Sequence, residues 1–207
     1  MKRIYSFFEF INEAYPNEWN SEFFSGLSYE KSLKYAKKLG LITLGYGTGR
    51  YVFQIDNEKV LKIAKNEEGK YQNECEVKIF NNPKAPLSIL APIYNFDKNF
   101  NWIEMAFAQE LTKPKFRSIT GFTWDNFSNA LHCKTAEIEN FIPYQSKEKY
   151  NPKVKDLQLF KDVIRLGQDF NVPLGDLQYL RSYGIIKNDI VLIDYGADIS
   201  FFKKFRI

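Results

Sequence analysis

An α+β fold in two lobes is predicted: a five-stranded antiparallel sheet with one helix, then a truncated, mainly helical lobe that carries a β-hairpin. Three observations predict it. Between residues 41 and 107, short apolar runs of strand length are separated by Gly, Asn and Asp turns, with a single helical stretch interposed. After Thr112-Lys113-Pro114-Lys115 the apolar period becomes that of helices. Close to the end, Tyr183 to Ile186 and Ile190 to Ile193 flank Lys187-Asn188-Asp189 as two strands flank a hairpin turn. With 207 residues, 44% of them hydrophobic and 17% aromatic, the chain can bury a sizeable core and is too apolar for disorder. The expected division is a helical extension over 1–40, a first lobe over 41–111 and a reduced second lobe over 112–207.

Each element has its own signal. Ile4, Phe7, Phe8 and Ile11 recur at helical spacing and predict a short amphipathic helix. Residues 16–26 read as an irregular link. Ser28, followed by Glu30 and Lys31, starts a second helix through Leu33, Tyr35, Ala36 and Leu39, with Gly40 as its stop. Strands follow at Ile42 to Leu44, Tyr51 to Ile55 and Val60 to Ala64, the last two joined by an Asp56-Asn57 turn. A helix over 71–80 stops at Asn81-Asn82-Pro83. Ile89 to Tyr94 and Asn101 to Phe107 form another hairpin around Asp97-Lys98-Asn99. In the second lobe, helices are expected over Thr123 to Leu131, Ala136 to Phe141 and Pro152 to about Leu166, the last with Leu157, Phe160, Val163 and Ile164 inward.

The net charge is +4, but the lysines are interleaved with 25 acidic residues, which argues against a nucleic-acid-binding stripe. Lys203-Lys204-Phe205-Arg206 reads as a solvated tail. Cys75 and Cys133 lie far apart with no ligand spacing around them, so neither a zinc site nor a disulfide framework is signalled, which fits a reducing compartment such as the cytoplasm. His132 beside Cys133 is no dyad, because adjacent side chains usually point apart. No apolar run has the length of a membrane span, and Glu9, Asn12 and Glu13 interrupt the N-terminal run as a secretory signal would not.

The residues that can carry chemistry come in a definite order. Gly45, Gly47 and Gly49 form a loop between two strands, where the lack of a Cβ lets backbone N–H groups approach phosphate oxygens. Lys62, flanked by Leu61 and Ile63 in a strand, offers a point cation from inside a cleft. A buried lysine needs a carboxylate, and either Glu74 or Glu76 on the next helix can supply it. Asp194 sits where the apolar run Val191-Leu192-Ile193 meets a turn at Gly196, and Asp176 lies eighteen residues before it. Each alone is equally well a turn glycine, a surface lysine or a turn aspartate; the succession is what points to a nucleotide cleft.

In that order the stretch 41–196 resembles the protein-kinase-like fold, including its small-molecule and phage-encoded relatives. Gly45-Tyr46-Gly47 with Val52 is similar to the glycine loop and Val60-Leu61-Lys62 to the lysine strand. Glu74 is similar to the helix glutamate, Gly175-Asp176-Leu177 to the catalytic loop and Asp194-Tyr195-Gly196 to the Asp-Phe-Gly metal site. The resemblance implies ATP with Mg²⁺, phosphates on Lys62, Glu74 paired with Lys62, Mg²⁺ on Asp194 and proton acceptance by Asp176. Three departures accompany it. Arg50 stands where a third loop glycine belongs, Leu174 takes the catalytic-loop histidine position, and Arg181 takes that of the second metal-binding asparagine. A guanidinium cannot ligate Mg²⁺, so Arg181 either binds phosphate in a metal's place or fills the metal site and abolishes turnover. Only eleven residues follow Gly196, so the activation segment and peptide-binding helices of a true protein kinase are not expected. The expectation is therefore an ATP-dependent phosphoryl or nucleotidyl transferase, with a pseudokinase as its alternative.

Residues 8–14, Phe8-Glu9-Phe10-Ile11-Asn12-Glu13-Ala14, resemble the leaders of internal head proteins of large tailed bacteriophages, cut after an Ile/Leu-x-Glu pattern. That resemblance implies a packaged virion protein or one with a host or phage protein partner, made in the host cytoplasm.

Overall fold

The computed structural model describes residues 18–138, 150–198 and 204–205. The amphipathic helix and leader expected in the first fourteen residues lie outside them, as does the end of the helix expected over 136–141. Element order follows the predicted class: an antiparallel sheet with one helix after its third strand, then helices and a hairpin.

The sheet consists of β1 (Ile42–Tyr46), β2 (Arg50–Gln54), β3 (Lys59–Ala64), β4 (Ile93–Phe96) and β5 (Trp102–Ala106), in the order β1-β2-β3-β5-β4 with all neighbours antiparallel. Alternation along β3 explains why its last five residues are buried: both faces of the sheet are covered. On one face Leu61, Ile63, Phe53 and Trp102 pack under α1 (Ser21–Phe24) and α2 (Tyr29–Lys38), against Phe24, Tyr35 and Ala36. Glu104, an acid in mid-strand on that face, is satisfied by the Trp19 indole N–H at 2.8 Å. Asp97, fully buried, accepts from the Gly26 N–H at 2.6 Å and from the Asn99 and Asn101 N–H groups at 3.0 and 3.2 Å. The segment from 18 to 40 is thus a cover bonded to the sheet, and its one-turn helix, capped by Asn20, replaces the irregular link expected there.

The other face of the sheet receives α3 (Glu67–Phe80), through Val77 and Ile79 against Val60, Ile103 and Met105. This helix starts four residues before the predicted position, because the Asn66 side chain caps it by accepting from the Gly69 N–H at 3.0 Å and acids fill the first turn. The strand expected over 89–94 begins later, at Ile93. Leu87–Ile89 is a 3₁₀ turn, and Pro92 has no N–H for a ladder.

Thr112-Lys113-Pro114 starts a helix rather than only breaking one. The Thr112 hydroxyl accepts from the Lys115 N–H, proline occupies the tolerated first turn, and α4 (Lys113–Thr120) results. The two helices expected over 123–141 are one, α5 (Trp124–Ile138), since nothing in His132-Cys133-Lys134-Thr135 breaks a helix. The helix expected from Pro152 is split at Leu157 into a 3₁₀ turn, Pro152–Asp156, and α6 (Gln158–Phe170). The hairpin of β7 (Tyr183–Ile186) and β8 (Asp189–Leu192) matches the prediction and gains a third strand, β6 (Gln109–Glu110), on the connection from the first sheet. Its strands and the helices α4 to α6 share a core of Phe116, Trp124, Phe127, Leu131, Val163 and Tyr183.

Candidate functional site

Strand parity sets which face of the sheet each side chain takes. In β2, Val52 is opposite Lys62 and Arg50 opposite Ala64, so Arg50 lies on the same face of the sheet as Lys62, toward α3. Helix period does the rest. Gly69, Asn73 and Glu76 follow at spacings of four and three and form the face of α3 that meets this side of the sheet.

The result is a buried ion cluster. Lys62 Nζ bonds both carboxylate oxygens of Glu76 at 2.9 Å, and Glu76 is fully buried. Arg50 spans three partners: Glu76 Oε1 at 3.0 Å, Asn73 Oδ1 at 3.3 Å and Asp194 Oδ1 at 2.7 Å. Lys62 Nζ also donates to the Ile193 carbonyl at 2.6 Å, one residue before Asp194. Burial pushes the Lys62 ammonium below its ordinary pKa against the pull of Glu76, and the neighbouring Arg50 adds to that depression. For Arg50 burial also opposes the charge, but Glu76 and Asp194 outweigh it and hold the guanidinium above its ordinary value.

Glu76, not Glu74, is therefore the partner of Lys62. Glu74 turns away and pairs with Lys78 one turn on, at 2.7 Å on the surface. Asp176 lies in a 3₁₀ turn, Asp176–Gln178, and is partly exposed. It is tied to the Asp194 segment through Ser182, whose hydroxyl donates to the Asp176 carbonyl at 3.1 Å and whose carbonyl accepts from the Ile193 N–H at 2.9 Å. Arg181 is not in the cluster: its guanidinium stacks over the Tyr179 ring at 4.8 Å. The cation on Asp194 is Arg50, which in a comparison with the glycine loop stands only as a missing glycine. Its signal was a charged residue opening an apolar strand in phase with Lys62.

Gly45 lies in β1 opposite Val52, beside an irregularity in the ladder. The turn after it is folded onto the start of α3. Lys65 Nζ, Asn66 Nδ2 and the Lys65 N–H bond the carbonyls of Gly47, Thr48 and Gly49 at 2.8, 3.4 and 2.7 Å, and the Gly47 N–H bonds the Arg50 carbonyl. Gly49 and Gly69 meet backbone to backbone, so that a Cβ on Gly69 would overlap the Gly49 carbonyl at 2.0 Å. Gly196 likewise abuts α3 at the Gln72 carbonyl, where a Cβ would come within 2.6 Å. Tyr195, next to Gly196 in the chain, is buried to 1% exposure, its phenol driven to a higher pKa by burial.

At Asp194, where the resemblance implies Mg²⁺, the side chains offer one carboxylate whose Oδ1 is held by the Arg50 guanidinium at 2.7 Å. The rest of magnesium's octahedral oxygen shell would have to come from water and phosphate. Among the described residues no group of three or more His, Cys, Asp or Glu side chains is placed to hold a metal ion.

The described residues form a two-lobed α+β protein with a buried lysine–glutamate pair and an aspartate that follows a hairpin. No protein-family model and no curated protein matches the sequence. Among solved structures, the chain is similar to ADP-bound aminoglycoside phosphotransferase APH(2'')-Ib, with TM-score 0.37 and 11% identity over 81% of this chain and 70% of that one. It is also similar to the gentamicin complex of APH(2'')-IIa, with TM-score 0.38 and 14% identity over 84% and 72%. The GDP complex of aminoglycoside 2'-phosphotransferase-IIIa gives TM-score 0.30 and 9% identity over 69% and 50%. No helix among the described residues is long and apolar enough to cross a membrane.

Proposed function

We propose that this chain is a kinase-like nucleotide-binding protein whose cleft takes the phosphates of ATP at Lys62. The observation that carries the reading is the buried Lys62–Glu76 pair at 2.9 Å, fixed to the backbone beside Asp194. A lysine desolvated to 4% exposure and held by a single carboxylate is a costly arrangement for stability alone. It makes sense as a cation positioned before the ligand arrives. In the transferase version Asp176 accepts the proton of an attacking hydroxyl, whose oxygen takes either the γ-phosphoryl group of ATP, with ADP leaving, or the nucleotidyl group, with pyrophosphate leaving.

A second reading, a pseudokinase that binds without transfer, is favoured by one specific feature: the Arg50–Asp194 contact at 2.7 Å occupies the carboxylate through which metal-assisted transfer would run.

Titration calorimetry with ATP, with and without Mg²⁺, tests the binding that both readings share, on wild type, Lys62→Met and Asp194→Ala. Wild type is expected to bind, and ATP at one hundred times its Kd stabilises a protein by about 2.7 kcal/mol, readable as a shift in Tm. Lys62→Met is expected to lose most of that binding. No heat and no Tm shift in wild type under either condition would sink the nucleotide reading. Transfer of labelled phosphate or nucleotide to any acceptor separates the transferase from the pseudokinase.

A further inference from the structure

The residue that most restricts the chemistry of the cleft is Arg50. It is 7% exposed, and its two terminal nitrogens reach Asp194 at 2.7 Å, Glu76 at 3.0 Å and Asn73 at 3.3 Å. The planar fork of a guanidinium suits this role, because it bridges two carboxylates in one rigid unit. Formal charges in the cluster then cancel: Arg50 and Lys62 against Glu76 and Asp194. Asp194 is the member that faces solvent, with a side chain 63% exposed, and its Oδ1 is the atom the guanidinium holds. Arg50 has little room to withdraw, since Glu76 and Asn73 hold its other nitrogen and the turn before it is locked to α3 through Gly49 and Gly69. A divalent ion on Asp194 would therefore meet a fixed positive charge at contact distance, in a site already neutral.

We propose that Arg50 is the resident counter-cation of Asp194, standing where a divalent metal would otherwise sit, so that the cleft excludes the metal and takes nucleotide phosphates without it. The second half rests on the nucleotide reading above; the first does not. Asp194 then serves to orient Arg50, and Lys62 with Arg50 offers phosphate oxygens positioned N–H donors in place of a metal.

The decisive measurement uses Mn²⁺ alone, followed by its electron paramagnetic resonance signal, on the full chain. Wild type and Asp194→Asn are expected to bind Mn²⁺ equally weakly, whereas Arg50→Gln gains affinity by about tenfold or more. That gain is expected to vanish in the Arg50→Gln, Asp194→Asn double variant. Mn²⁺ binding by wild type that falls in Asp194→Asn overturns the proposal, and this comparison needs no change at Arg50, so it holds even where Arg50→Gln fails to fold. An Arg50→Gln protein that folds and gains nothing overturns it equally. In the ATP arm, wild type is expected to give the same Kd in EDTA as in Mg²⁺ within about threefold, and a tenfold tightening by Mg²⁺ counts against the proposal. Should ATP bind to neither wild type nor any variant, the nucleotide reading falls, while the Mn²⁺ comparison still decides the role of Arg50.

Discussion

Replacing Glu76 by glutamine tests the ion cluster most directly. Glu76 is fully buried and is the one carboxylate shared by two nearly buried cations, Lys62 at 2.9 Å and Arg50 at 3.0 Å. Glutamine keeps the shape and one carbonyl acceptor but removes the charge. Lys62 is then left with neutral acceptors, the Ile193 carbonyl and the glutamine amide oxygen, and Arg50 keeps only the exposed Asp194 as a charged partner beside the Asn73 amide. Breaking a buried ion pair from one side costs about 3–5 kcal/mol, because the remaining charge stays desolvated. At about 2–4 °C per kcal/mol for a chain of this size, Tm is expected to fall by roughly 6–20 °C. Glu74→Gln is the control: it removes only an exposed i,i+4 pair with Lys78, worth about 0.3–0.5 kcal/mol. Urea denaturation of the three proteins, followed by far-UV circular dichroism, gives the comparison. A Glu74→Gln loss equal to or larger than that of Glu76→Gln would refute the assignment of Glu76 as the partner of Lys62.

Three further outcomes follow from the packing. Gly69→Ala, which in an ordinary helix raises stability, is expected to lower it by about 1–3 kcal/mol, since the new methyl meets the backbone of Gly49; an unchanged urea midpoint would contradict the contact. Asp97→Ala leaves the N–H groups of Gly26, Asn99 and Asn101 without their acceptor, at a cost on the order of 3 kcal/mol, and limited proteolysis is expected to cut within residues 18–27 sooner than in wild type. Burial raises the Cys75 thiol from 9.0 to about 12. Because the raised pKa keeps the proton on the folded state, this contribution to stability is complete below pH 9 and is lost as pH rises toward 12. Cys75→Ala should show a shallower decline over that window, and iodoacetamide at pH 8 should spare Cys75 until urea unfolds the chain.

Much of the architecture was legible because the local signals agreed with one another. Strands β2, β3, β7 and β8 combine apolar runs with Asp, Asn and Gly turns, and α2 carries both its Ser28 cap and its Gly40 stop. Lys62 was legible for the same reason, as a charge inside an apolar strand. Which glutamate it meets was not settled by spacing, since Glu74 and Glu76 lie two positions apart and so face different sides of one helix. The phase of Gly69, Asn73 and Glu76, with Lys78 one turn beyond Glu74, contains the answer, but only once the face of α3 that meets the sheet is known. Arg50 was hidden because comparison with a glycine pattern registers an arginine there as a defect, whereas strand parity registers it as a partner. The boundary at Thr112 was ambiguous in a different way: a residue set that ends one element also begins the next, and only the hydrogen bond from the Lys115 N–H decides.

Three successive residues at the end of β8, Leu192 to Asp194, are each clasped by a different earlier segment: the one before β4, β3 and β2. The Leu192 carbonyl accepts from the Ala91 N–H at 2.9 Å, the Ile193 carbonyl from Lys62 of β3 at 2.6 Å, and the Asp194 carboxylate from Arg50 of β2 at 2.7 Å. The clasps run from fully buried Leu192 to a largely exposed Asp194 side chain, so they have an inner and an outer end. A swing of one lobe away from the other cannot be a free hinge about the connecting segment, for it must first peel these bonds apart. The exposed end of the row is the Asp194 side chain, so an opening is expected to begin with Asp194 leaving a stationary Arg50 and to reach the Leu192 contact last. The cleft, on this geometry, unfastens like a row of buttons from the mouth inward, and the charge on Asp194 sets how easily the first one slips.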